Sequence, residues 1–399
     1  MTKKLKVFET GVSAKASKGL EYEFIDTREI SGDIEEWELK AFLRVVSAEL
    51  SPEQEDAIVN PGNSFHLQQD VLAVHWHPEH IPFTMLKQRI AKLYPDATNT
   101  LIIPTQHNTL LEFDGYAGLE IDCYSPEFDR KVQLLLHFTS EKALAADKIR
   151  VMAEHTFKYR SKQLFEILHT LTEPALDGPL YKAMESTEAG ENIVGFVKIY
   201  AGKLIKLIEE NEGSIKPDFI KNKIIRDFFD ELREVYDGHV INLSQIFIKA
   251  VKENVKAVFS PKYFYKTQDV ISEARLCGGG IVVPHPEQFW PILLADYDVD
   301  GFEVWNPQSR QYTEFLTGVV ARNNKGRKNQ DRPLLVFMGD DTHMGEKIKK
   351  PSLRDPDKAS REIGMQPAWD DLDIRQALKD SRVSRAQTIN EYRQRLDQA

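Results

Sequence analysis

Short apolar runs alternate with helical patterns in two parts of the chain, about residues 71–138 and 278–345. Apolar runs of this length, such as those at 71–77, 100–107 and 116–124, predict strands, and the segments between them have the apolar spacing of helices. Strands that alternate with helices in this way are typical of a parallel sheet that is buried on both faces. The pattern therefore predicts an α/β fold.

Between these two parts the alternation stops, and apolar residues fall at helical spacing for about 130 residues, as in the stretch 196–208. We therefore predict that residues 141–271 form a large all-helical insertion. The insertion would interrupt one discontinuous α/β domain made of residues 71–140 and 272–345.

The two ends of the chain are more polar. Residues 1–70 form an N-terminal extension with a strand-like segment at 22–30 and a segment of helical spacing at 35–46. Residues 346–399 begin as a charged linker and end in a predicted helix near 370–397. Neither end contains a motif that indicates chemistry.

Composition narrows the class of protein. The chain has 399 residues, of which 41% are hydrophobic and 29% charged, which is typical of a soluble globular protein. The net charge of −10 argues against generic capture of nucleic-acid phosphates as the main task. Two cysteines, Cys123 and Cys277, do not make a disulfide framework, and no apolar run is long enough to span a membrane. We expect a cytoplasmic protein without membrane contact.

Histidines and carboxylates recur at the ends of the predicted strands. His75 and His77 share a face of the first strand because side chains at i and i+2 point the same way, and Asp341 and His343 do so after the last strand. The others at comparable positions are His107, Glu120, His137 and His285. In a parallel barrel, such residues converge on one face. Imidazole and carboxylate suit zinc, manganese or iron, and this many ligands would hold two or three divalent ions.

Each of these residues alone has a structural interpretation as well. A His-x-His pair is usually on the surface, His137 could be a core histidine with a hydrogen-bond partner, and Glu120 could be a strand-edge residue. Their recurrence at one register of five or six strands favours a site.

Seven motifs occur in a characteristic order: His75-Trp-His77, Thr105-Gln-His107, Gly118-Leu-Glu120, Leu136-His137, Pro284-His285-Pro, Asp300-Gly-Phe-Glu-Val-Trp-Asn306 and Gly339-Asp-Asp341-Thr-His343. Their order resembles the polymerase and histidinol phosphatase (PHP) family, over roughly half of the chain. The resemblance implies a distorted seven-stranded (β/α) TIM-like barrel whose di- or trinuclear metal centre hydrolyses phosphate esters with a metal-bridging hydroxide. Carried over by position, the metal ligands would be His75, His77, His107, Glu120, His137, His285, Asp341 and His343.

The sequence also departs from the family pattern. Ala73-Val74 precede the first His-x-His where the family usually has Asp-Leu, and Pro78-Glu-His80 follows where the family has a Ser-Asp-Gly-like segment with a further ligand. His80 could replace that ligand. Gln106 stands where Asp is frequent, and the helical insertion lies outside the common pattern.

Two further residues have candidate roles beside the metals. Arg310, in the turn after Asn306, could bind phosphate oxygens that the metals leave free, or could be an exposed arginine at the start of a helix. Glu303 could orient a ligand histidine, or could be a buried carboxylate with an ordinary partner. We favour the orienting role for Glu303.

The preferred interpretation is a metal-dependent hydrolase, a phosphoesterase acting on a small phosphorylated substrate. A metal-dependent amidohydrolase is a related interpretation, but a matching strand lysine is missing. A nuclease is a second alternative, with lysines of the insertion as a basic wall and Tyr263-Phe264-Tyr265 as a stacking surface. A third is a catalytically idle barrel that binds a protein partner, and the helical insertion would also suit a homo-oligomer interface.

Overall fold

The computed structural model describes residues 25–187, 189–326, 332–380 and 383–398, which form a mixed α/β structure. The strands in this part are β1 (Asp70–Ala73), β2 (Trp76–His77), β3 (Asn99–Ile102), β4 (Leu111–Phe113), β5 (Tyr116–Ser125), β6 (Arg130–Thr139), β7 (Gly280–Val283), β8 (Gly301–Trp305), β9 (Leu335–Met338) and β10 (Thr342–His343). The α-helices are α1 (Glu36–Val46), α2 (Pro52–Val59), α3 (Phe83–Leu93), α4 (Ser140–Ala143), α5 (Asp147–Thr172), α6 (Asp177–Thr187), α7 (Glu191–Asn211), α8 (Lys223–Glu231), α9 (Gly238–Val258), α10 (Thr267–Leu276), α11 (Thr313–Gly326), α12 (Pro356–Ser360), α13 (Leu372–Asp380) and α14 (Arg385–Gln398).

The largest sheet has six strands in the order β4-β5-β6-β7-β8-β9. Strands β7, β8 and β9 are parallel to one another, but β6 runs antiparallel to both β5 and β7. The prediction of a parallel sheet is therefore wrong for β6. An apolar run shows that a strand is buried, but it does not show in which direction the strand runs.

A tight hairpin before β5 accounts for part of this topology. Asp114 and Gly115 join β4 to β5 and both have positive φ, 54° and 88°, as a two-residue type I′ turn requires. Asp-Gly is one of the preferred sequences for that turn, because glycine adopts positive φ without strain. This dipeptide is a hairpin signal that the apolar pattern alone did not reveal.

The closed seven-stranded barrel is not confirmed, because the described strands form three separate ladders. Besides the six-stranded sheet, β1 pairs with β3 and β2 pairs with β10, both in parallel. A few backbone hydrogen bonds join the ladders, among them Thr105 N–H to Trp76 O at 2.9 Å, Glu120 N–H to Gln106 O at 3.1 Å, and Asp341 N–H to His75 O at 2.9 Å. These bonds bring the segments that carry the candidate ligands next to one another.

Helices follow one another from α4 to α10, over the stretch in which helical spacing predicted an insertion. Helices α5 to α9 form a helical block with an apolar core of its own, in which Phe196, Phe228 and Phe229 are fully buried. Helix α4, the start of α5 and α10 pack into the core of the sheet instead. Phe42 of α1 packs into the core of the helical block. The first helix of the N-terminal extension is therefore anchored on the helical block, whereas Ile58 of α2 belongs to an apolar cluster with Trp76 and Leu86.

The chain ends differ in part from expectation. Residues 22–24 of the strand-like segment lie outside the described residues, and Thr27–Glu29 form a 3-10 helix, so the strand prediction is wrong there. Near the C-terminus, α13 and α14 replace the single predicted helix. Tyr392 of α14 is buried in the core of the sheet, which ties the end of the chain to the strands.

Candidate metal centre

Seven side chains from five segments of the chain come together beside the parallel strands. They form three overlapping groups, and within each group the ligand atoms lie within 4.8 Å of one another. The groups are His75, His77 and Asp341; His75, Glu120 and His285; and His77, His107 and His343. Each group could hold a metal ion. Because His75 and His77 each belong to two groups, the three positions are adjacent.

Asp341 lies at the centre of the first group. Its Oδ1 atom is 3.5 Å from His77 Nε2, 3.7 Å from His75 Nε2 and 3.5 Å from His343 Nε2. Nitrogen and oxygen ligands about 2.0–2.2 Å from a tetrahedral ion lie roughly 3.3–3.6 Å apart. The spacing around Asp341 is therefore close to that of atoms sharing one ion.

Glu120, on β5, faces two groups with its two oxygens. Oε1 lies 3.8 Å from His285 Nε2, whereas Oε2 lies 3.7 Å from His77 Nε2 and 2.5 Å from His107 Nδ1. A carboxylate with this arrangement can bridge two metal ions.

Several ring nitrogens of the cluster are buried without a partner. His75 Nε2 and both ring nitrogens of His77 make no hydrogen bond with any residue that the structure describes. Burying a polar atom without a partner is unfavourable, and such atoms are rare in folded proteins. Neutral imidazole nitrogens beside carboxylates are the donors that divalent transition metals accept. The residues present therefore fit a metal centre.

The electrostatics of the cluster keep two of the candidate ligands, His77 and Glu120, in the forms that bind a metal. Burial, together with the charges of His343 and His107, holds the pKa of His77 well below its usual range, so this ring is neutral. Burial opposes ionisation of Glu120, but the adjacent His107 outweighs it and holds the pKa of Glu120 well below its usual range. A neutral imidazole and an ionised carboxylate are the forms that bind a metal.

Glu303, on β8, contacts the cluster through Nδ1 of His75, whereas Nε2 of the same ring faces Asp341. Its Oε1 lies 2.6 Å from His75 Nδ1, and its Oε2 accepts a hydrogen bond from the His285 backbone N–H at 3.0 Å. Burial alone would lower the pKa of His75, but Glu303, with Asp341 and Glu120, raises it to about 10. Without a metal this ring is therefore protonated on both nitrogens at neutral pH, and it would release the Nε2 proton on binding one. A Cβ atom at position 339 would collide with the Glu303 carboxylate, so Gly339 makes room for it.

The loop after β8 reaches the cluster through a residue other than Arg310. Arg310 is exposed, and its guanidinium makes no hydrogen bond or ion pair with the described residues. Gln308 instead donates from Nε2 to Asp341 Oδ2 at 2.9 Å. Arg361 donates to the same oxygen at 3.0 Å. Gln308 and Arg361 thus orient Asp341, and the sequence pattern indicated neither.

His137 is not part of any of the three groups. Its Nδ1 lies 2.7 Å from the Tyr392 hydroxyl and its Nε2 lies 3.0 Å from the Val74 carbonyl oxygen, so both nitrogens have partners. Because β6 runs antiparallel to β7, His137 pairs with Gly280 at the start of β7, away from His285, which follows the end of that strand. The expectation that His137 would be a metal ligand assumed that β6 was parallel to its neighbours, whereas the structure places His137 outside the three groups.

His80 also lies outside the three groups, and its ring packs against Phe219 with 5.3 Å between centroids. Its neighbour Glu79 takes the place beside the cluster: Glu79 Oε1 is 3.5 Å from His343 Nδ1, and Oε2 is buried without a partner in the described part of the chain. Glu79 has a positive φ of 54°, a local backbone feature that turns this residue inward. Sequence reasoning missed Glu79 because it considered only the histidine beside it.

A cavity of about 540 Å³ adjoins the cluster at Glu79. Glu79, Gln106 and Gly345 line it on the cluster side, and Lys221 and Lys223 line it on the side of the helical block. Its volume lies within the range of small-molecule sites, about 300–1,000 Å³. His107 and His343 do not line this cavity, but they are the partly exposed members of the cluster, at 34% and 26%.

The aromatic segment that a nuclease would use for stacking is only partly available. Phe264 is buried, and the ring of Tyr263, although 44% exposed, stacks on His155 and on Tyr159, with 4.5 Å between centroids in both cases. Internal contacts therefore take up part of the aromatic surface of this segment.

Comparisons with known proteins leave the family open. No protein-family model matches the chain, and no curated protein does so. Among solved structures, a protein from Bifidobacterium adolescentis described as a putative metal-dependent phosphoesterase is similar, with 18% sequence identity and a TM-score of 0.34. The match covers 70% of this chain and 85% of that chain. A TM-score this low does not establish a common fold.

Among the described helices, none is both long enough and apolar enough to cross a membrane.

Proposed function

We propose that this protein is a metal-dependent phosphoesterase of the PHP type, a hydrolase that cleaves a small phosphate ester. The observation that carries the proposal is the meeting of His75, His77, Glu120 and Asp341, with buried ring nitrogens that no described residue satisfies. Such a concentration of unpaired buried groups is unfavourable for a scaffold without chemistry. This argues against the idle barrel.

The proposed ligands are the members of the three groups together with Glu79, for two or three divalent ions: His75, His77, Glu79, His107, Glu120, His285, Asp341 and His343. Zinc, manganese and iron all accept these donors. Bound ions of this kind lower the pKa of water and offset negative charge on phosphoryl oxygens.

The protein's own residues prepare this site. Glu303 accepts a hydrogen bond from the Nδ1–H of His75, which leaves His75 Nε2 directed at the cluster. Gln308 and Arg361 fix the Asp341 carboxylate through Oδ2, so that Oδ1 remains for the metal side. His107 and His343 form the accessible edge, and we assign substrate entry to that edge.

A small substrate is favoured over a polynucleotide for two reasons. The cavity at Glu79 has the volume of a small-molecule site, and its lysines suit an anionic ligand. In the aromatic segment that would stack bases, Phe264 is buried and Tyr263, although 44% exposed, already stacks on His155 and Tyr159. We therefore assign phosphate esters of small organic molecules as the substrate class.

Hydrolysis of p-nitrophenyl phosphate by the full chain tests the proposal. The chain is freed of metal with a chelator and then supplied with zinc, manganese or iron(II), and its rate is compared with that of Asp341→Asn and of the exposed control Glu314→Gln. We expect metal-dependent hydrolysis that falls at least a hundredfold in Asp341→Asn and is unchanged in Glu314→Gln. Hydrolysis that needs no metal, or that survives in Asp341→Asn, would contradict the proposal.

A further inference from the structure

The cavity beside Glu79 lies where the helical block meets the candidate metal centre. Its wall on the helical side includes Phe219, Lys221, Lys223 and Ile224, at and before the start of α8. On the opposite side it reaches Gly345, which follows the candidate ligand His343. A group bound in this cavity would therefore touch both the helical block and the edge of the metal centre.

Five lysine and arginine side chains line the cavity, and they differ in whether a carboxylate lies close to them. Four of them have carboxylate partners: Arg44 and Lys350 with Glu231 at 2.7 and 3.1 Å, Lys349 with Glu346 at 2.6 Å, and Lys223 with Glu79 at 3.5 Å. The ammonium of the fifth, Lys221, has no hydrogen bond and no carboxylate within 4.0 Å among the residues that the structure describes.

The charged form of Lys221 is unfavourable at this half-buried position. Burial lowers the pKa of its ammonium, and the more distant carboxylates of Glu79, Asp218 and Asp227 offset this only in part. A charged group that is taken from water without a partner destabilises the folded protein. An anion that entered the cavity would supply the missing partner.

We propose that Lys221 binds a phosphate oxygen of the substrate, with Lys223 beside it, and that the organic part of the substrate lies against the apolar wall of the cavity. That wall is formed by Phe219, Ile224, Ile348 and Leu353. The inference rests on the proposed function, because it treats the cavity as the continuation of the metal centre. The substrate is therefore a phosphate ester with an apolar body, and the helical block selects it.

Glu79 connects the two sites. Its Oε1 is 3.5 Å from Lys223 Nζ and also 3.5 Å from His343 Nδ1. A metal ion at Glu79 would offset the negative charge of this carboxylate, which would otherwise repel an incoming phosphate. We therefore expect metal loading to strengthen anion binding at Lys221.

Phosphonates test the inference without chemistry, because phosphate ester hydrolysis does not cleave a C–P bond. Binding of phenylphosphonate and of methylphosphonate to the full chain is measured by isothermal titration calorimetry, with and without added zinc. We expect phenylphosphonate to bind on the order of tenfold more tightly, because the apolar wall covers the ring. Equal binding of the two, or no binding of either, would overturn the proposed site.

The variant Lys221→Gln tests the assigned residue, with Lys221→Arg as the conservative variant and Lys249→Gln, an exposed lysine of α9, as the matched control. We expect Lys221→Gln to weaken phenylphosphonate binding on the order of tenfold or more, and the other two to stay within about twofold of the wild type. Lys221→Gln removes an unpaired charge from a half-buried position, so the variant should fold.

The outcomes separate this inference from the proposed function. Phosphonate binding that depends on Lys221 supports the inference even if the wild type hydrolyses no phosphate ester with any metal, which would overturn only the proposed function. Metal-dependent hydrolysis with phosphonate binding unchanged in Lys221→Gln overturns only the inference.

Discussion

The Oε1 atom of Glu303 lies 2.6 Å from Nδ1 of His75, on the side of the ring opposite to the candidate metal centre. A carboxylate in this position fixes both the tautomer and the orientation of a ligand histidine. The contact explains why a buried glutamate stands at the middle of β8.

Glu303→Gln should lower the affinity for zinc about 10- to 100-fold, because an amide holds the His75 ring less firmly and does not raise its basicity. Competition with a chromogenic chelator measures the affinity, and Glu314→Gln, an exposed glutamate of α11, is the control. An affinity equal to that of the wild type would show that Glu303 is only a structural partner.

Glu79 and His80 are adjacent in sequence, and the structure gives them different roles. Because Glu79 Oε1 is 3.5 Å from His343 Nδ1, Glu79→Gln should lose about one equivalent of metal or bind it about tenfold more weakly. His80→Gln should keep its full metal content. Plasma mass spectrometry of the gel-filtered variants compares them, and the reverse order would return the ligand role to His80.

His137 should act on stability and not on metal binding. Burial lowers its pKa to about 3, against about 6.5 in the unfolded chain, so the unfolded state binds more protons between these values. The contribution of His137 to stability is therefore fully present above pH 6.5 and is lost as the pH falls toward 3.

Chemical unfolding of the metal-free wild type and of His137→Gln over a pH series tests this. We expect the wild type to be more stable by about 1–3 kcal/mol at pH 7.5, since the variant disturbs the buried hydrogen bonds to Tyr392 and Val74. The difference should shrink by up to about 1.4 kcal/mol per pH unit below pH 6. A difference that stays constant, or a loss of bound metal in His137→Gln at neutral pH, would contradict this assignment.

Arg160 of α5 links the helical block to the strand that carries Glu120. Its Nε donates to the buried Oδ2 of Asp122 at 2.6 Å, and Lys131 Nζ donates to Oδ1 at 2.7 Å. Arg160→Gln leaves this carboxylate with one charged partner and should lower the free energy of unfolding by about 3 kcal/mol.

Lys158→Gln is the matched control for Arg160→Gln, since Lys158 lies on the same helix and is 71% exposed in a surface pair with Glu154. It should change stability by less than about 1 kcal/mol. Denaturant unfolding measures both variants, and equal stabilities would show that the Arg160 contact does not hold the block to the strand.

Much of the metal cluster could be predicted from the sequence because local geometry determines it. Residues two apart on a strand share a face, so the pairs His75/His77 and Asp341/His343 were each expected to act together. Their positions at strand ends also predicted that His107, Glu120 and His285 would join them, and the structure brings all seven together.

The remainder depends on features that the pattern of apolar residues does not encode. His137 was misplaced because burial does not give strand direction, and β6 is antiparallel. Glu79 reaches the cluster through a residue of positive φ. Gln308, Arg361 and Lys221 come from loops and from the helical block, and only tertiary packing determines where these meet the site.

Metal content tests the central claim most directly. The full chain, reconstituted with zinc, manganese or iron(II) and gel-filtered, is analysed by plasma mass spectrometry beside Asp341→Asn and Glu120→Gln. We predict two or three equivalents per wild-type chain, with a loss of at least one in each variant, because each carboxylate faces more than one imidazole. A wild-type chain that is folded and retains no metal under any of these conditions would contradict the account.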